Sequence, residues 1–95
     1  MPTLKFKYNE SMKRVSIDNS EVSFSVFVLK VKESFAALST VDNRTLSFLW
    51  QDGDGDKCTC ETDREIQDAI LELERLSKPL LFEVSYVFVP SEFLY

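Results

Sequence analysis

Ninety-five residues suffice for one domain built on a single core and are too few for two. The net charge of −5 argues against a nucleic-acid surface. With no histidine, only two glycines and only two cysteines, the chain lacks the commonest general base near neutral pH, the usual activator of serine or cysteine nucleophiles, both phosphate-binding glycine fingerprints, a zinc site and a disulfide framework, so it reads as a non-enzymatic domain without a cofactor.

Leu4-Lys5-Phe6-Lys7-Tyr8 alternates apolar with basic residues, the pattern of a half-buried strand whose outer face carries Lys5 and Lys7. Asn9-Glu10-Ser11 is a polar turn, and Met12 to Ile17 reads as a second strand, so the chain opens on a hairpin that brings Lys5, Lys13 and Arg14 near one another. The next segment fits two periods. Val22, Phe24, Val26 and Val28 alternate as in a strand, whereas Phe24, Phe27, Val28, Val31 and Phe35 follow helical spacing; the longer pattern and a capping Ser23 predict a helix over 24–38. Its β-branched residues lower local helix propensity, so tertiary packing has to hold it.

A polar connection over Ser39–Arg44 leads to a third strand, Thr45–Trp50, and the chain then enters Gln51-Asp52-Gly53-Asp54-Gly55-Asp56. Lys57–Glu61 reads as a short fourth strand with Cys58 and Cys60 on its inner face. The second helix is signed by a capping box, Thr62 with Glu65, and an Ile66, Ala69, Ile70, Leu73, Leu76 stripe; it ends near Ser77, ahead of Pro79. Leu80–Val89 is apolar enough for a central final strand, and Pro90–Tyr95 is a short tail. Strand, strand, helix, strand, strand, helix, strand is the outline of a ubiquitin-like β-grasp roll: an α+β fold with one five-stranded mixed sheet backed by two helices, a single domain over 1–95 with its core over about 3–89.

Charge is organised along this chain. Met1–Lys32 holds six basic and three acidic residues, whereas Glu33–Tyr95 holds five basic and thirteen acidic. A bipolar sequence predicts a bipolar surface. Three carboxylates crowd one short turn, with Asp63 and Glu65 at the next helix start; such a group repels itself and favours a nearby cation, either a metal or another protein's lysines. Asp52, Asp54 and Asp56 match the first three ligand positions of a calcium loop, but Lys57 stands where that loop needs glycine, Asp63 where it needs a bidentate glutamate, and strands rather than helices flank it. No apolar run approaches a membrane span and the first residues lack a signal-peptide layout, which leads to the expectation of a cytoplasmic domain without a membrane partner.

These motifs resemble the Phox-and-Bem (PB1) domain family over roughly Thr3–Val89. The likeness is most specific in Trp50-Gln51-Asp52-Gly53-Asp54-Gly55-Asp56 followed by Thr62-Asp63-Arg64-Glu65-Ile66, which is similar to the family's acidic motif, and in Leu4-Lys5-Phe6 with Lys13-Arg14, which is similar to its basic strand and basic pair. Gly53, where many members carry an acidic residue, and Arg64, inside the acidic patch, are departures. The resemblance implies a protein-interaction scaffold of the two-faced type, pairing head to tail through a basic face (Lys5, Lys7, Lys13, Arg14) and an acidic face (Asp52, Asp54, Asp56, Asp63, Glu65), with itself or a related domain. The Val31–Leu38 helix end is most similar to sequestosome-type selective autophagy receptors, and Trp50 before the acidic turn to atypical protein kinase C, a signalling kinase. Helix starts favour negative charge at Asp63 and Glu65 for structural reasons alone, and turns favour aspartate. The alternatives are a hetero-dimerising signalling adaptor domain of kinase or polarity type and a ubiquitin-like adaptor that binds through its apolar sheet surface or hydrophobic tail, with the metal-binding turn as a further one.

Overall fold

The structure is a computed structural model that describes residues 3–18, 20 and 22–86. Five strands, β1 (Thr3–Tyr8), β2 (Ser11–Ser16), β3 (Leu46–Gln51), β4 (Lys57–Cys60) and β5 (Leu81–Tyr86), form one sheet in the order β2-β1-β5-β3-β4. Two helices, α1 (Phe24–Ser34) and α2 (Asp63–Arg75), pack on one side. β1 and β5 run parallel and every other pair antiparallel, which is the mixed sheet of a ubiquitin-like β-grasp. β5 is central, as its apolar length implies; residues 87–95, which include the rest of the expected strand and the tail, lie outside the described residues.

The alternation in β1 does what the sequence predicts. Leu4 and Phe6 are fully buried, while Lys5 and Lys7 lie on the outer face. On the inner face Phe27 of α1 meets Phe6, Phe48 and Phe82 at 5.1, 5.3 and 5.1 Å, each nearly edge to face, so one aromatic ring joins α1 to three strands. Ile66, Ala69, Ile70 and Leu73 bury the stripe of α2 against the same core.

Both predicted caps form. The Ser23 hydroxyl accepts the Val26 N–H at 3.1 Å, and the Thr62 hydroxyl accepts the Glu65 N–H at 3.2 Å. The first helix is shorter than its spacing suggests: it stops at Ser34, Phe35 takes an extended conformation, and a 3₁₀ turn follows over Ala36–Leu38. The physical reason is that Phe35 and Leu38 both reach the core, Phe35 beside Tyr8 at 5.8 Å, and a tighter turn with period three places Leu38 there without continuing the α-helix. The apolar spacing is fulfilled with a break in the middle.

Replacing Phe27 by Ala removes the ring shared by three strands and is expected to cost about 3–5 kcal/mol, whereas Leu71→Ala, on the exposed side of α2, changes stability by no more than about 0.5 kcal/mol. Urea unfolding followed by the fluorescence of Trp50, the single tryptophan, measures both.

Candidate functional site

Sheet order sets where the charges go. The basic residues lie on β1 and β2 at one edge, and the acidic turn joins β3 to β4 at the other, about four strand spacings or roughly 19 Å away. Arg14 stands directly opposite Lys5 and Met12 opposite Lys7, so Lys5, Lys7 and Arg14 share the outer face. Lys13 stands opposite Phe6 and therefore on the other face of the same edge strand. The opening hairpin thus pairs Lys5 with Arg14, and Lys13 is not part of that outer-face cluster. Lys7 is also beside Glu83 of β5, whose carboxylate holds the Lys57 ammonium at 3.1 Å.

The acidic turn is built by its first aspartate. Oδ1 of Asp52 accepts the N–H groups of Asp54 and Asp56, each at 2.9 Å, while Oδ2 accepts the Cys58 thiol at 3.5 Å. The Asp52 backbone closes the turn by donating to the Asp56 carbonyl and accepting the Gly55 N–H. Gly55 sits at φ +86°, a conformation that glycine adopts without strain, and this explains its place in the motif. Gly53 packs differently: a Cβ there would meet Leu76 Cδ1 at 3.3 Å, so the turn rests closely on the end of α2. Carboxylate oxygens of Asp52, Asp54 and Asp56 all lie within 4.8 Å of one another.

Hydrogen bonding, first from the Asp56 N–H and then from that of Asp54, holds the Asp52 carboxyl below the usual aspartate range, with Cys58 and Lys78 contributing. Burial pushes the Cys58 thiol up, helped by the Asp52 charge, and pushes Cys60 up to about 12. Both cysteines remain thiols at neutral pH, and their inner-face position is the predicted one.

The five acidic residues do not form one cluster. Four-residue β4 separates the turn from the start of α2 by about 13 Å. Asp63 and Glu65 also have structural roles there. Oδ1 of Asp63 accepts the N–H of Phe24, the first residue of α1, at 2.7 Å, so one carboxylate lies at the N-termini of both helices. Oε1 of Glu65 accepts the Thr62 hydroxyl and the Glu61 N–H, completing the cap. Each residue commits one oxygen to a cap, and the other has no protein partner among the described residues.

Sequence reading missed Lys78. Its ammonium donates to the Asp52 carbonyl at 3.0 Å across 26 residues, a contact with no local signature. A hollow of about 170 Å³ lined by Leu49, Trp50, Leu73, Pro79 and Leu81 together with Lys57, Lys78 and Glu83 is the feature relevant to an apolar docking mode. Among the described residues no helix is long and apolar enough to cross a membrane.

A β-grasp sheet with cationic residues toward one edge and a carboxylate turn at the other defines a ubiquitin-like protein-interaction module. The chain belongs to the PB1 domain family, whose model matches residues 1–85. PB1 domains are interaction modules rather than enzymes, and they pair with other PB1 domains. Among solved structures the chain is similar to the AtNBR1-PB1 domain (17% identity, TM-score 0.66, covering 90% of this chain and 97% of that one). It is similar also to a chain from the cryo-EM AtNBR1-PB1 filament of L-type (18%, 0.64, 90% and 97%) and to the solution structure of the Cdc24p PB1 domain in its long form (14%, 0.59, 92% and 98%). Comparison with curated proteins gave no match.

The depressed carboxyl of Asp52 stabilises the fold above the usual aspartate range, and that contribution disappears as pH falls through its lowered value. Asp42 adds a second term of the same sign, held to about 2 by the Arg44 side chain and N–H. Thermal unfolding of the wild type should therefore lose stability as pH drops from about 4 toward 2, and Asp52→Asn should be less stable near neutrality with a shallower acid dependence.

Proposed function

We propose that this domain is a two-faced scaffold: Lys5 and Arg14 of one copy dock on Asp54 and Asp56 of the next, and the chain self-associates head to tail. Opposite edges of one rigid sheet supply the two faces, and this separation is the observation that carries the reading. A contact between two different surfaces does not close on itself unless the geometry makes a ring, so identical copies extend into filaments. The likeness to a chain from the AtNBR1-PB1 filament supports that outcome. Lys13 and Lys7 form the rim of the basic face. Asp52 fixes the turn, and Asp63 and Glu65 form a second acidic station through their uncommitted oxygens.

Clustered interfacial charge pairs couple by about 1.5 to 7 kcal/mol, against about 0.2 to 1 for isolated exposed ones, and only the former reach the roughly −8 kcal/mol of micromolar binding. On this reading the domain acts in the cytoplasm as the polymerising part of a sequestosome-type selective autophagy receptor. A second reading is pairing with a different PB1 domain in a signalling adaptor, since PB1 domains pair with other PB1 domains.

Sedimentation velocity separates the readings. Self-association predicts large species that grow with concentration and shrink as salt rises, and monomers for Lys5→Ala/Arg14→Ala and for Asp54→Ala/Asp56→Ala. A wild type that is monomeric at low salt and high concentration defeats the homo-oligomer and directs the search to a heterologous PB1 partner. Assembly that is indifferent to salt favours the apolar hollow instead.

A further inference from the structure

The acidic turn is held from outside as well as from within. Leu76 caps the C-terminus of α2, and Ser77 follows in the left-handed region at φ 55°. The Ser77 N–H donates to the Glu74 carbonyl at 3.0 Å and the Lys78 N–H to the Leu73 carbonyl at 2.9 Å, the paired bonds of a Schellman ending. That ending fixes the backbone of Lys78, and Pro79 after it limits the chain further. From this fixed base the half-buried Lys78 side chain reaches back to the Asp52 carbonyl at 3.0 Å. Leu76, two residues before Lys78, lies against Gly53 so closely that a Cβ there would sit 3.3 Å from its Cδ1. Two successive parts of the helix ending thus grip two successive residues of the turn.

The bond goes to a carbonyl rather than to a carboxylate. Lys78 forms no ion pair within 4.0 Å among the described residues, whereas Lys57, Arg44 and Arg75 each do. A cation whose only role was to offset the acidic cluster gains most beside a carboxylate oxygen. One that donates to the carbonyl at the base of the turn instead fixes the backbone from which Asp54 and Asp56 project.

We infer that Lys78 is a positioning residue of the acidic face, clamping the turn to the end of α2 so that Asp54 and Asp56 are presented in one arrangement to a cationic partner. The inference rests on the head-to-tail reading for its partner and on geometry alone for the clamp. It makes a prediction of unusual sign. By charge alone, removing a lysine from an acidic face strengthens attraction to a basic partner. By positioning, removing it weakens that attraction.

The test uses the whole chain with one face disabled on each side. A Lys5→Ala/Arg14→Ala chain, which keeps its acidic face, is titrated with an Asp54→Ala/Asp56→Ala chain, which keeps its basic face, and the titration is repeated with Lys78→Met or Lys78→Arg added to the former. Lys78→Met should weaken binding by about fivefold, the affinity equivalent of one net hydrogen bond, and Lys78→Arg should restore most of it. In the Lys78→Met chain alone, the backbone amide order parameters of Gly53, Asp54 and Gly55 should fall from the rigid range near about 0.85 toward about 0.6, with those of α2 unchanged. Tighter binding on Lys78→Met, or an equally rigid turn without the ammonium, overturns the inference. Should the parent pair not bind at all, the head-to-tail reading fails, and the order parameters still decide the clamp.

Discussion

Insertion of β5 between the two hairpins is the constraint on which the rest of this domain depends. β5 pairs in parallel with β1 and antiparallel with β3, so β2 and β4 are forced to the two edges, and with them the basic pair and the acidic turn. The same strand supplies Phe82 to the aromatic group around Phe27, so the pairing that segregates the charges also closes the core. Were the hairpins adjacent, Lys5 and Arg14 would lie closer to Asp54 and Asp56 within one molecule and each face would partly neutralise the other. Separation across the sheet keeps the basic pair and the acidic turn apart within one molecule.

The acidic motif divides into parts with different duties. Asp52, Asp63 and Glu65 each use a carboxylate oxygen to satisfy backbone N–H groups, those of the turn, of α1 and of the residue preceding the cap of α2. Exposed Asp54 and Asp56 are the turn residues whose side chains are not committed in this way among the described residues. Asp52 therefore frames the turn, Asp63 and Glu65 each give one oxygen to a helix start, and Asp54 and Asp56 carry the charges without such a commitment. The frame also explains why the turn keeps its carboxylates within 4.8 Å of one another: the N–H groups that Asp52 binds offset part of their repulsion.

What the sequence made legible were features whose causes are local. Alternation in β1 places Lys5 and Lys7 outward, Ser23 and the Thr62–Glu65 box begin the helices, and the register of β4 buries Cys60. The extent of α1 was not legible, because Phe35 and Leu38 satisfy helical spacing and are buried, yet reach the core through an extended residue and a 3₁₀ turn. Nor was the side of the sheet taken by Lys13, which depends on a register that adjacency to Arg14 obscures. Asp63 binding Phe24 across 39 residues and Lys78 binding Asp52 across 26 exist only once tertiary structure has brought their partners together. Local patterns place the charged residues on their elements, and long-range contacts decide which of their side chains are engaged within the molecule.

The most direct test of the proposed head-to-tail assembly is a charge exchange between two otherwise intact chains, Lys5→Glu/Arg14→Glu and Asp54→Lys/Asp56→Lys, followed by light scattering alone and after mixing. Each variant alone should be monomeric because it presents two faces of like sign. Mixed in equal amounts, they meet at complementary faces of both kinds and should regain assemblies of wild-type size at low salt. Assembly by either variant alone, or failure of the folded mixture to assemble where the wild type does, would contradict the account.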